Sequence, residues 1–180
     1  MISDVFARAL WLSGPGACPA SVRLRIGGPE PIYLADHREP NGAYIENGLA
    51  RALTLLSFLP GRTWVLRLDQ TPGDPEPSAG ELARLHLPHR TEALSSRRDT
   101  LLWELPADPE VLRPLFREII RSELSPEGME FLCGTTAVIS SAAPLVLRLE
   151  DDRWAQLSAP EPSFLSALPA DCQDWLSTQA

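Results

Sequence analysis

Five consecutive residues, Glu150-Asp151-Asp152-Arg153-Trp154, form the most chemically loaded stretch of the chain. Three carboxylates in a row repel one another unless water, a cation or a basic group offsets them. Carboxylate oxygens are hard donors, so Asp151 and Asp152 suit Mg²⁺ or the basic group of a partner. The same residues also suit a turn. An Asp side chain accepts hydrogen bonds from nearby backbone N–H groups, and Arg153 can pair locally. The run follows the apolar segment Leu145-Val146-Leu147-Arg148-Leu149 and so lies at the end of a strand. That position favours the turn over the cation.

Other reactive residue types are sparse. His86-Leu87-Pro88-His89 places two imidazoles three apart. Two ligands are too few for a metal, and Pro88 disfavours the helix that would align them, so these read as surface histidines. Cys133-Gly134-Thr135-Thr136 sets a thiol before a turn, with no base or positive neighbour identifiable to activate it. Cys18, Cys133 and Cys172 are odd in number, widely separated and without CxxC spacing. They read as buried free thiols, neither a disulfide framework nor a zinc site. Gly27-Gly28 fits neither GxGxxG nor the Walker pattern, and the chain has no Lys for the latter. The hydrolase elbow, zincin, EF-hand and kinase signatures are also missing. A binding protein is therefore favoured over an enzyme, and no cofactor is implied.

The elements that position these residues follow from periodicity. Ser21–Ile26 alternates polar and apolar and reads as a half-buried strand. Pro31–Leu34 is its expected hairpin partner across a Gly-Gly-Pro turn. Ala43–Leu59 carries a helical stripe of Ile45, Leu49, Ala52, Leu53, Leu56 and Leu59, stopped by Pro60-Gly61. Arg62–Asp69 and Thr100–Leu105 read as strands. Pro109–Glu123 is the best-marked helix. It has Asp108 as N-cap, Pro109 at the first position and an apolar stripe from Val111 to Ile120. Pro114 inside it forfeits one backbone hydrogen bond. Short strands are expected at Met129–Cys133, Ala137–Ser140, Pro144–Glu150 and Arg153–Leu157. Short helices are expected at Ile2–Leu12, Glu81–Leu85, Ser163–Ala167 and Asp171–Ser177. The late strands crowd together as in an antiparallel meander. The whole therefore predicts an α+β fold, a mostly antiparallel sheet with helices packed on it. A length of 180 residues with 44% hydrophobic content suits a single domain spanning 1–180. Thr71–Gly80 is expected to be a Pro- and Gly-rich loop within it.

Charge is unevenly divided. Residues 1–90 hold nine acids and nine arginines, whereas residues 91–180 hold fifteen acids and seven arginines and so carry the whole net charge of −8. All 16 basic residues are Arg, a bias that fits a GC-rich genome. An acidic chain is repelled by nucleic acid and by anionic membranes. An acidic half attracts a basic protein partner. No apolar run approaches the ~20 residues that span a bilayer. The first residues, with Asp4, lack the basic start of a secretory signal, so a cytoplasmic location is expected.

Several stretches together resemble one family. An apolar strand, then Asp151-Asp152-Arg153, a short strand and a closing helix with Asp174-Trp175-Leu176 resemble the end of the DUF3885 family. Its signature there is Asp-Asp-Arg-Gly followed by a helix with Trp-Leu or Trp-Ile. Val22-Arg23-Leu24-Arg25-Ile26-Gly27-Gly28 resembles the family's first strand, which ends in a Gly pair. Arg51-Ala52-Leu53-Thr54-Leu55 resembles its Arg-Ala-Leu helix, which leads into a strand like Trp64-Val65-Leu66. The resemblance spans roughly residues 20–178. Trp154 stands where the signature has Gly. The family name denotes unknown function, so the resemblance implies a fold and transfers no activity.

The sequence thus leads to a non-enzymatic protein-binding module whose acidic C-terminal half meets a basic protein, a bacterial immunity-type protein being one concrete form. Glu150, Asp151, Asp152, Arg153 and Trp154 are the candidate contact residues. The alternative is a metal-dependent enzyme or binder that uses the Glu150-Asp151-Asp152 cluster.

Overall fold

The structure, a computed structural model, describes residues 20–28, 42–67, 84–85, 92–93, 100–106, 108–122, 124, 136–166, 168 and 170–176. Several expected features lie outside them: the helix at 2–12, the strands at 31–34 and 129–133, the loop at 71–80, His86, His89, Cys18 and Cys133.

Among the described residues seven strands build one sheet: β1 (Ala20–Arg25), β2 (Arg62–Arg67), β3 (Glu92–Ala93), β4 (Thr100–Pro106), β5 (Thr136–Ser140), β6 (Val146–Leu149) and β7 (Trp154–Ala159). Their spatial order is β1-β7-β6-β5-β2-β4-β3. Every pairing in it is antiparallel. With the helices described below, this is an α+β fold. Strands β5, β6 and β7 form the expected meander, since short turns between alternating segments pair each strand with the next. β1 does not lie beside its sequence neighbours. It pairs with β7, in register from Ala20 opposite Ala159 to Arg25 opposite Trp154.

Two long helices, α1 (Gly42–Leu56) and α2 (Pro109–Ser122), pack against each other and on one face of the sheet. The α1 stripe of Ile45, Leu49, Ala52, Leu53 and Leu56 is buried, and Leu55 beside it is buried as well. α2 starts where the cap dictates: Asp108 Oδ1 accepts the Glu110 N–H at 2.9 Å, and Pro109 takes the first helical position. Its Leu112, Leu115, Phe116, Ile119 and Ile120 are buried against Leu24, Val65, Val138, Leu147, Leu149 and Leu157 of the sheet. Each such side chain contributes about 1.5–3 kcal/mol on leaving water, which makes this layer the main source of stability. The alternate residues Ala137, Ile139 and Val146 are fully buried too, so the central strands are covered on both faces. α1 ends earlier than its stripe suggests. Residues 57–60 form a turn, and Gly61 at φ 82° re-aims the chain into β2, a backbone region that favours glycine.

Two short helices close the described chain, α3 (Pro162–Leu165) and α4 (Ala170–Gln173). Leu165, Leu168 and Cys172 are their anchors in the core. Cys172 is a free, fully buried thiol, and burial pushes its pKa up. The helix expected over Asp171–Ser177 stops at Gln173. Trp175 and Leu176 instead meet the outer edge of β1: the Arg25 N–H donates to the Trp175 carbonyl at 2.6 Å, and Leu24 bridges Leu176. Tertiary pairing has overridden helical spacing, and an edge that would otherwise offer free N–H and C=O groups is capped. Among the described residues no helix is long and apolar enough to cross a membrane.

Candidate functional site

The candidate residues Glu150 to Trp154 form the turn between β6 and β7. The hairpin register leaves Leu149 opposite Ala155, and the Glu150 and Asp151 N–H groups both reach the Trp154 carbonyl, at 3.0 and 3.4 Å. Asp151 Oδ1 accepts the N–H groups of Arg153 at 2.7 Å and Trp154 at 2.8 Å. This is the local bonding that makes Asp a turn residue. The turn expected from the sequence is therefore present.

The three carboxylates leave it in three directions. Glu150 Oε2 accepts from Arg23 Nε at 2.8 Å across to β1. Both side chains are substantially exposed, at 31% and 43%, so the pair contributes at most about 1 kcal/mol. Asp151 is committed to the turn backbone. Asp152 points inward and is only 7% exposed. Its Oδ2 accepts the Tyr44 hydroxyl of α1 at 2.6 Å, and Arg153 Nε stands 3.9 Å from its Oδ1. Burial raises the Asp152 pKa above the usual carboxylate range. The Tyr44 hydrogen bond and the Arg153 charge pull it back only in part. Burial, then the carboxylate it bonds, push the Tyr44 phenol well above its ordinary value. A buried donor or acceptor left unpaired costs about 1–3 kcal/mol, so Tyr44–Asp152 outweighs the surface pair.

No family model, curated protein or solved structure matches the chain.

Four of the five stretches that carry the family resemblance, 22–28, 51–55, 151–153 and 174–176, meet in one corner around Asp152, whereas Trp64-Val65-Leu66 lies in β2, separated from β6 by β5. The N–H groups of Ile26 and Gly27 both donate to the Arg153 carbonyl, at 2.8 and 3.1 Å. A side chain at Gly27 would put its Cβ 2.5 Å from the Tyr44 hydroxyl and 2.9 Å from the Arg153 Cα. The close backbone approach in this corner is thus made at Gly27, which leaves the position after Arg153 free for a large residue. That residue, Trp154, takes the Arg23 guanidinium over its ring at 4.5 Å. Arg51 of α1 donates to the carbonyls of Arg25 and Gly27, each at 3.3 Å, and lies 5.4 Å from the centre of the Trp175 ring. Exposed cation–π contacts of this kind contribute about 0.5–1 kcal/mol each.

All five candidate residues therefore have partners within the chain. Among the described residues no three His, Cys, Asp or Glu side chains are grouped to hold a metal. Sequence reasoning missed Tyr44 and Arg51 as members of this cluster. Tyr44 stood on the flank of a helical stripe, and nothing marks its link to Asp152, 108 residues away. The Gly pair ending a strand was the one available signal for the close approach at Gly27.

Proposed function

We propose that the chain is a non-enzymatic protein-binding module whose acidic C-terminal half engages a basic protein partner, in the manner of an immunity-type protein. The observation that carries this reading is the surface beyond Arg153. From Trp154 to Ala180 the sequence contains no basic residue. Glu161, Asp171 and Asp174 are exposed there and make no ion pair among the described residues. Phe164, between the first two in sequence, is the one large exposed hydrophobic side chain among the described residues. Unpaired acids raise the encounter rate with a basic partner, and an exposed aromatic supplies contact area that charge alone does not. The corner around Asp152 holds this half to β1 and α1. Its Asp152 and Tyr44 act here as a scaffold, while Glu150, Arg153 and Trp154 reach the surface. The meeting of four of the five motif stretches in that corner supports the resemblance to DUF3885 as part of the same proposal.

The test is a pull-down from host lysate with the wild-type chain and with Glu161→Arg/Asp171→Arg/Asp174→Arg, each at low and high salt. A stoichiometric basic protein, lost at high salt and lost with the triple variant, is the expected result. Equal retention by both chains would overturn the assignment of that surface.

A further inference from the structure

A second feature stands apart from the protein-binding surface and does not depend on it. Between α1, α2 and the short piece at residues 84–85 lies a cavity of about 210 Å³. Its apolar part is made by Leu49 of α1 and by Leu85, both essentially fully buried. Around that part stand groups of both signs: Arg84, Arg113 and Arg117, with Glu46 and Glu118.

Their pairing is incomplete on both sides. Arg113 forks onto Glu110 at 2.9 and 3.3 Å, and Arg117 reaches Glu46 at 3.4 Å. Both pairs are exposed contacts that solvent screens strongly and a ligand displaces at little cost. Arg84 is exposed and makes no hydrogen bond or ion pair with the described residues. Opposite in sign, Glu118 has its Oε1 3.7 Å from Arg121, while its Oε2 is buried with no hydrogen-bond partner. A buried acceptor left unpaired loses its hydration without gaining a partner, so such groups are normally satisfied. The cavity thus presents an unpaired cation, an acid with one oxygen left without a hydrogen bond and an apolar floor.

We infer that this cavity binds a small zwitterion with an apolar tail, of the α-amino-acid class. Its carboxylate pairs with Arg84 and the neighbouring guanidiniums. Its ammonium donates to Glu118, whose side chain turns its free oxygen toward the ligand, with Glu46 nearby. The tail rests on Leu49 and Leu85. Size agrees: a dry cavity of ~150 Å³ takes up benzene, so about 210 Å³ holds a ring or branched chain plus small charged groups. It falls short of the roughly 300–1,000 Å³ of drug-sized sites. A ligand of about ten heavy atoms in such a site binds with a dissociation constant on the order of 1 mM or tighter.

The experiment titrates the full chain by calorimetry with L-phenylalanine and L-leucine, and with 3-phenylpropionate and phenethylamine, which each carry one charge only. Saturable binding of an amino acid is expected, weakened about tenfold or more for both single-charge analogues, since a hydrogen bond between charged groups is lost in each. Arg84→Ala, at an exposed position that leaves the core intact, is expected to weaken the amino acid and phenylpropionate alike and to spare phenethylamine. Glu118→Gln is expected to do the converse. No binding by either amino acid would overturn the inference. So would phenylpropionate binding as tightly as phenylalanine with Glu118→Gln silent, because the cavity would then be a plain anion site. Unchanged amino-acid binding by Arg84→Ala overturns it even if Glu118→Gln does not fold.

Discussion

The corner at the β6–β7 turn and the cavity between α1 and α2 hold similar side chains and treat them in opposite ways. In the corner, acids adjacent in sequence diverge, and each finds its own partner: Glu150 with Arg23, Asp151 with the turn backbone, Asp152 with Tyr44. At the cavity, residues scattered from Glu46 to Glu118 converge, and two of them, Arg84 and Glu118, keep unmet bonding capacity. Density of charge along a chain therefore says little about where a ligand binds. What counts is whether folding satisfies the groups, and a fully satisfied cluster serves as a fastening.

The largest effect that follows is at Gly27. Gly27→Ala places a Cβ within clashing distance of the Tyr44 hydroxyl and the Arg153 backbone, and backbone cannot swing aside. A loss of about 2–3 kcal/mol is expected, read as a lower urea midpoint at unchanged slope. If the variant matched wild type, the corner would be loose and the contrast with the cavity would fail. Tyr44→Phe follows, at about 1–3 kcal/mol, because it leaves the buried Asp152 carboxyl without its donor.

The pH dependence sharpens the same point. Asp152 has a folded-state pKa raised above its unfolded value, so the native state holds the proton more tightly. Its contribution to stability is full below the unfolded pKa and is lost as pH rises through the folded one. Asp152→Asn keeps an acceptor for Tyr44 and removes that titration. Its stability relative to wild type is therefore expected to climb with pH across this window, measured by urea melts at several acid-to-neutral values. A constant difference would show that Asp152 is not desolvated.

The cavity supplies the smaller effects. Arg84→Ala, exposed and unpaired, is expected to change stability by no more than about 0.5 kcal/mol. Gly48→Ala on the neighbouring face of α1 is expected to stabilise by about 0.5–1 kcal/mol. The new methyl meets Ile120 at an ordinary 3.6 Å, and the helix loses a glycine. A thermal melt showing destabilisation there would mean that α1 and α2 pack more tightly than they do now.

Local signals made part of this fold legible. Asp108, Pro109 and the stripe through Ile120 mark α2 almost to the residue, because cap, first position and periodicity agree. The Asp-rich turn was readable because Asp151 bonds its own neighbours. Long-range choices were not readable. Nothing local says that β1 pairs with β7, or that Trp175 and Leu176 abandon a helix to cap it. The direction of Asp152 depends on Tyr44 and Gly27, which periodicity assigns to separate elements. The cavity was wholly invisible, since Arg84 and Glu118 both read as the polar faces of separate helices and nothing local brings them together.

The pairing of β1 also sets a schedule for synthesis. Both of its neighbours, β7 and the Trp175–Leu176 segment, come from the far end of the chain, and its contact from Arg23 to Glu150 closes a loop of 127 residues. A ribosome delivers β1 well before either partner. The strand therefore waits, with Val22 and Leu24 uncovered, while the helices and central strands emerge and pack. Contacts this distant in sequence slow folding, and a waiting apolar strand is open to wrong pairings with other chains. Arg23 and Arg25, which alternate with those two residues, set like charges along the strand and discourage such pairings until its partners arrive.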